Sequence, residues 1–319
     1  MRDIIAKNAG IYITHNCNFN CRYCSVKDID IQELSIVQWK KAVDVIADLN
    51  IENLTILGGE PTCKEGLVDL VHYITQHTDI NLNLVSNGAI DHQVLRALLQ
   101  AGLENYSTSV DSLFSEGMDK CVVKKTNVAV KTLEYLKEFQ LKKITVYFMM
   151  NSKNYTGLIP TIRYFSLQNI HTYILPYHYA QNNQFPWVTR AQTPEDGMVL
   201  HVEHEEIRQL IQAVIGMKED GYLISNSSEY LQGILQYMND FSWHCIGDIM
   251  ELRIDADGSL MCCHDYMGTS SSAFNIFDLQ DDTRKTDFIN AREADAKLCT
   301  GCFWPSQYHA HQVANKVQN

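Results

Sequence analysis

Short apolar runs alternate with longer stretches of helical periodicity over the first 175 residues. Ile11-Tyr12-Ile13, Leu54-Thr55-Ile56-Leu57, Leu82-Asn83-Leu84-Val85, Tyr106 to Val110, Ile144 to Met149 and Thr172 to Leu175 read as strands. Between the first two, Ser35 offers an N-cap ahead of Val37, Ala42, Val43, Ile46, Ala47 and Leu49, which recur at helical spacing. Further helices are expected at 65–76, 93–100, 123–139 and 158–167. Strands alternating with such helices predict βαβ units and a parallel sheet. The expected class is α/β, a partial (β/α)6 TIM-like barrel with its ligands at the C-terminal strand ends.

Polar punctuation falls at those ends. Gly58-Gly59-Glu60-Pro61 follows the second strand, Ser86 and Asn87 the third, Ser109 and Asp111 the fourth, and Asn151 the fifth. Taken singly, Gly-Gly is ordinarily a turn, and Ser, Asn and Asp ordinarily cap turns and helices. From Tyr177 to about Glu195 the alternation stops, in a stretch rich in Asn, Gln, His and aromatics. It reads either as a loop over the barrel mouth, suited to a hydroxylated or amino-bearing substrate, or as a packed linker. Helices follow at 202–217 and 229–238, where His201 and His204 read as ordinary surface histidines. The expected organisation is a barrel over 1–200, a helical linker over 201–239 and a small cysteine-rich unit over 240–319.

The net charge of −12 argues against a nucleic-acid partner, whose phosphates demand a basic footprint. The longest apolar runs, such as Ile144 to Met150, are too short to span a bilayer. No apolar signal core precedes Cys17, so a cytoplasmic location is expected. Ten cysteines in such a chain point to metal or redox chemistry rather than disulfides.

The densest cluster is Cys17-Asn-Phe-Asn-Cys21-Arg-Tyr-Cys24, directly after the first strand. Three thiolates from one loop would leave one iron of a cubane cluster open. The spacing, with Tyr23 just before the last cysteine, resembles the signature of the radical S-adenosylmethionine (SAM) superfamily. That resemblance implies a 4Fe–4S cluster on Cys17, Cys21 and Cys24 whose open iron chelates the amino and carboxylate groups of SAM. One electron then yields methionine and a 5′-deoxyadenosyl radical, which takes a hydrogen atom from substrate. By the same resemblance, Gly58, Gly59, Glu60 and Pro61 form the GGEP motif, whose backbone and Glu60 hold the SAM amino group. Ser86, Asn87, Ser109, Asp111 and Asn151 then contact its ribose and carboxylate, and Tyr23 joins the cofactor-binding set. A zinc knuckle would need a fourth nearby ligand.

A second cysteine group lies near the C-terminus. Cys245 follows an aromatic turn; Glu251 to Ile254 and Ser259 to Cys263 flank an Asp-Gly turn as a hairpin would; Cys299-Thr-Gly-Cys302 closes the set. These positions can supply four thiolates, to a cluster or to structural zinc. They resemble the SPASM and twitch extensions of radical SAM enzymes, including a Gly-x4-Cys step from Gly258 to Cys263. The resemblance implies one twitch-type auxiliary 4Fe–4S cluster on Cys245, Cys263, Cys299 and Cys302. Neighbours on a strand face opposite ways, so Cys262 is left as a candidate hydrogen donor. Cys63 is the rival donor, and Cys121, before a helix, reads as remote.

The expected function is hydrogen abstraction from a polar small-molecule substrate (a sugar, aminocyclitol or nucleoside-like compound), giving epimerisation or dehydrogenation. The layout is similar to the epimerases and dehydrogenases of antibiotic, aminoglycoside-type, biosynthesis. The alternatives are a peptide or protein maturase, and a non-catalytic iron–sulfur or zinc protein, which has no use for a GGEP motif. The Gly-Arg-rich tail of the molybdenum-cofactor cyclase branch is missing, and the barrel starts almost at Met1, with no winged-helix leader-binding domain expected before it. A flavodoxin- or ferredoxin-type reductant is the expected partner, docking beside Arg22 and Lys27.

Overall fold

The strands stand side by side in the order in which the chain makes them, as βαβ units require. They are β1 (Asn8–Tyr12), β2 (Asn53–Leu57), β3 (Asn81–Ser86), β4 (Asn105–Ser109), β5 (Lys143–Met150) and β6 (His171–Pro176). Every neighbouring pair is parallel. The crossovers are α1 (Ile36–Asp48), α2 (Leu67–His77), α3 (His92–Gln100), α4 (Lys120–Leu136) and α5 (Leu158–Ser166). The computed structural model describes all residues except 1–5, 22–23, 25, 27–29, 178–204, 238–250, 262–269, 299–302, 304, 306–307 and 309–319.

Local chemistry sets the helix starts. Ser35 caps α1 as expected, and Gln38 completes a reciprocal capping box with it. The fourth helix begins at Lys120 rather than 123 because the Asp119 carboxylate accepts the Cys121 and Val122 backbone N–H groups. Alternate strand residues such as Leu54, Ile56, Leu82, Leu84 and Val146 are buried in the main core, which the helices share. The intervening residues, such as Asn53, Thr55 and Asn83, face the barrel axis and are largely polar. At the N-terminal edge an amide ladder pins four strands: Asn53 Nδ2 donates to Asn8 Oδ1 (3.0 Å), Asn81 Nδ2 to Asn53 Oδ1 (3.0 Å) and Asn105 Nδ2 to Asn81 Oδ1 (2.9 Å).

The sheet continues beyond β1. The strand β7 (Glu251–Ile254) pairs with β1 in parallel, with Gly10 opposite Arg253, and β8 (Leu260–Met261) pairs with β7 antiparallel. The hairpin expected from the Asp-Gly turn is present, and Gly258 supplies its left-handed residue (φ 87°). Its first strand carries the sheet across the boundary expected at residue 240. Gly10 matters here because a Cβ would lie 2.0 Å from Nη1 of Arg253. The ends of β1 and β7 also meet through side chains, His15 Nε2 lying 2.6 Å from Asp255 Oδ1 with both residues buried.

Three further α-helices lie among the described residues: α6 (Glu205–Glu219), α7 (Ser228–Tyr237) and α8 (Asp282–Leu298). A second core joins α6 and α7 to the outer faces of β5 and β6. Tyr230 there stacks on Phe303 (4.8 Å) and donates to its carbonyl oxygen (2.8 Å), which fastens the C-terminal segment. Among the described residues no helix is long and apolar enough to cross a membrane.

Candidate functional site

The chain leaves β1 through Ile13, Thr14, His15 and Asn16 and enters the cysteine loop at Cys17. The Gly-Gly-Glu-Pro segment runs alongside it. Gly59 N–H donates to Thr14 O (2.8 Å) and Glu60 N–H to Asn16 O (2.7 Å). The approach is closer than any side chain tolerates: a Cβ on Gly59 would lie 2.4 Å from Asn16 O and 2.5 Å from His15 O. Gly59→Ala should therefore lower stability by about 1–3 kcal/mol through overpacking, read as a lower urea midpoint at unchanged slope.

Glu60 is fully buried. Its Oε1 accepts Thr62 N–H (3.1 Å), Thr62 Oγ1 (2.7 Å) and Ser86 Oγ (2.9 Å), and its Oε2 accepts Asn87 N–H (2.7 Å). Burial raises this carboxyl above its usual range, with the donated bonds working in the opposite direction. A carboxylate has about four acceptor sites, so Oε2 keeps capacity for one more donor. The side chain thus staples the β2 and β3 loops together.

The cysteine loop is braced at both ends by Glu33, a residue that no motif in the sequence marks. Its Oε1 accepts Thr14 Oγ1 (2.6 Å) and His15 N–H (2.8 Å), and its Oε2 pairs with Lys64 Nζ (2.7 Å), just past the GGEP turn. Within the loop, Cys24 N–H donates to Cys21 O (3.1 Å). Cys17 Sγ accepts Phe19 N–H (3.4 Å) and Asn87 Nδ2 (3.8 Å). Burial raises the Cys17 thiol and pushes Cys21 up to about 12, against the attraction of the Lys125 ammonium. Such thiols lose their protons when a metal takes them.

Cys121 is not remote, as the sequence reading had it. The capped start of α4 brings it within electrostatic reach of the Cys21 thiol. Cys63 is exposed and within electrostatic reach of Glu60 and Cys17. Cys245, Cys262, Cys263, Cys299, Cys302 and Tyr23 lie outside the described residues, as do Arg22, Lys27, His201, His204 and the 178–195 stretch. Among the described residues no three Cys, His, Asp or Glu side chains converge as a metal site. The donor chemistry fits an iron–sulfur cluster: three thiols on one loop, with N–H groups aimed at the first sulfur.

The remaining predicted contacts divide. Asn87 stands beside the cysteine loop, and Ser109 ends β4 half-buried. Ser86 is buried and committed to Glu60 and to Gly88 N–H. Asp111 and Asn151 are buried in partnerships of their own. Asp111 Oδ2 pairs with Lys125 Nζ (2.8 Å), and its Oδ1 accepts Met149 N–H (2.8 Å). Asn151 donates to Met149 O (3.0 Å) and accepts Lys153 N–H (2.9 Å). Lys125, which places a buried positive charge near Cys21, carries no signal in the local sequence.

Fold and site together define a class. The family model described as the radical SAM superfamily matches residues 11–164, a span that holds all three loop cysteines and the GGEP turn. Over that span the chain resembles the radical SAM superfamily. Among sequence relatives, GTP 3′,8-cyclase of Syntrophomonas wolfei subsp. wolfei is 23% identical over 262 residues, 79% of this chain and 79% of that protein. GTP 3′,8-cyclase of Desulforamulus reducens is 33% identical over 109 residues, 32% of this chain and 34% of that protein. Among solved structures, Streptococcus suis SuiB superposes with a TM-score of 0.66 at 14% identity, over 89% of this chain and 66% of its own, so this chain spans just under two thirds of SuiB. The structure described as anSMEcpe with bound AdoMet and Cp18Cys peptide gives 0.60 at 16% identity, over 90% of this chain and 81% of its own. At such identities the likeness is one of fold.

Proposed function

We propose that this protein is a radical SAM enzyme acting on a polar small molecule, by epimerisation or dehydrogenation. The observation that carries the reading is the packing of the GGEP backbone along the segment leading into Cys17, which sets a cofactor-binding turn beside three thiols. In this reading Cys17, Cys21 and Cys24 hold a 4Fe–4S cluster, and the carbonyls of the GGEP turn, with Oε2 of Glu60, accept the SAM ammonium. When bound, cluster and SAM together supply a primary carbon radical that abstracts hydrogen from substrate.

The chain's own contribution is position and polarity. Glu33 and Glu60 fix the two loops, and the barrel axis is lined by Thr55, Asn83, Ser107, Tyr147 and Tyr173, side chains suited to hydroxyl and amino groups. The relatives named GTP 3′,8-cyclase carry a polar nucleotide in their name, which favours a small molecule over a peptide. Cys245, Cys263, Cys299 and Cys302 are assigned to an auxiliary cluster, Cys262 or Cys63 to hydrogen donation, and a flavodoxin- or ferredoxin-type protein to electron supply.

The test is anaerobic reconstitution with iron and sulfide, followed by SAM and dithionite. The expected product is 5′-deoxyadenosine, in amounts that rise when the correct sugar, aminocyclitol or nucleotide is added. Turnover in deuterated water separates the reactions: one solvent deuterium in the product marks epimerisation, none in an oxidised product marks dehydrogenation. No 5′-deoxyadenosine above an enzyme-free control overturns the reading, and stimulation by peptides alone moves it to a maturase.

A further inference from the structure

Asn87 sits at the turn after β3 with every polar atom of its side chain engaged. Its Oδ1 accepts the backbone N–H of Ala89 (2.9 Å), which fixes the orientation of the amide, because only an oxygen can take that proton. The Nδ2 group is then directed at two acceptors, Asn18 Oδ1 (2.7 Å) and Cys17 Sγ (3.8 Å). Asn18 is oriented in the same way, since its own Nδ2 donates to Ala89 O (3.1 Å). The Asn87 backbone N–H lies on Glu60 Oε2 (2.7 Å), so the GGEP turn holds the whole group against the cysteine loop. With both amide protons placed, Asn87 has none to offer a cofactor.

We propose that Asn87 raises the reduction potential of the cluster through the sulfur of Cys17. Reduction adds negative charge that spreads onto the ligand sulfurs. A donor aimed at one of them stabilises the reduced state more than the oxidised one. Cys17 receives two such donors, Phe19 N–H and Asn87 Nδ2. The first belongs to the backbone, so the second is the one a single substitution can remove. Asn87 is thus a positioning residue for the electron-accepting site. This inference rests on the reading that Cys17, Cys21 and Cys24 hold a cluster.

The experiment is an EPR-monitored redox titration of reconstituted enzyme, following the signal that changes shape when SAM is added, with the potential itself measured before SAM. Asn87→Leu should lower the one-electron reduction equilibrium three- to tenfold, roughly 30–60 mV at ~59 mV per tenfold. Asn87→Asp, which puts an anionic oxygen where the donor was, should lower it further. Thr62→Val loosens the same turn through Glu60 without touching Cys17 and should leave the potential in place. Wild-type iron content with an unmoved potential in both Asn87 variants overturns the inference, as does an equal shift in Thr62→Val. Wild-type protein that binds no iron overturns the cluster reading, and this inference with it; iron analysis tells the two failures apart.

Discussion

The triple variant Cys17→Ala/Cys21→Ala/Cys24→Ala is expected to form no 5′-deoxyadenosine and to hold about four irons, where reconstituted wild type holds about eight. The three thiols share one loop, and no other described cysteine belongs to that segment. Cys63 and Cys121 stand nearby, but on the turn after β2 and on α4, apart from the loop that carries the three thiols. Neither should rebuild the site once the loop is stripped. The barrel itself should survive, because the loop contributes little to the main core and its flanks stay braced by Glu33. A circular dichroism spectrum and melting curve close to wild type would separate loss of chemistry from loss of fold. The four irons expected to remain are those assigned to the proposed C-terminal set. Zinc in their place would sink the auxiliary cluster and leave the radical chemistry standing.

Glu60→Ala carries the second largest effect. Four donated hydrogen bonds end on this one buried carboxylate, from Thr62 twice, from Ser86 and from Asn87. The hydroxyls can turn to other partners, but the two backbone N–H groups cannot, and each buried orphan costs about 1–3 kcal/mol. A stability loss of roughly 2–5 kcal/mol is expected, visible as a lower melting temperature. SAM affinity should fall at least tenfold in the same protein, since the GGEP turn and the β3 turn are no longer joined. Glu60→Gln is the sharper test. If its amide oxygen keeps the Thr62 and Ser86 bonds, its NH2 group meets the Asn87 N–H donor to donor. It should therefore keep most of the stability and still weaken SAM binding. Unchanged affinity in both variants, by calorimetric titration, would remove Glu60 from the cofactor site.

What the sequence made legible is what short-range pattern encodes. Leu54 and Ile56, or Leu82 and Leu84, declare their strands by alternation alone, and Ser35 declares a helix start, whereas the Asp119 cap stays unread and periodicity starts the fourth helix three residues late. The cysteine loop and the GGEP turn were legible because each is contiguous. What stayed hidden joins residues far apart in the chain. Glu33 with Lys64, Asp111 with Lys125 and Cys21 with Cys121 become partners only once the barrel closes, and nothing in the local pattern of any of them marks the other. The same holds for Asp111 and Asn151. Read as polar punctuation they suggest ligand contacts; in the structure their side chains engage Lys125 on α4, Met149 on β5 and the Lys153 backbone. Strand β7 is the extreme case. As half of a hairpin it was legible, but its pairing with β1, more than 240 positions away, was not, and the one hint of that pairing is Gly10, the residue small enough to leave room for Arg253.

That last pairing makes the C-terminal region a guard as well as a carrier of cysteines. The strand β1 is buried on its helix-facing side and hydrogen-bonded on both flanks, to β2 and to β7. A protein trimmed before residue 240 would keep the cysteine loop, the GGEP turn and all six barrel strands. It would also present a flat open edge along Asn8–Tyr12, with its row of N–H and C=O groups unmet. Edges of that kind recruit strands from other molecules. The shortened barrel should therefore gather into soluble oligomers or precipitate, however well its own core is packed.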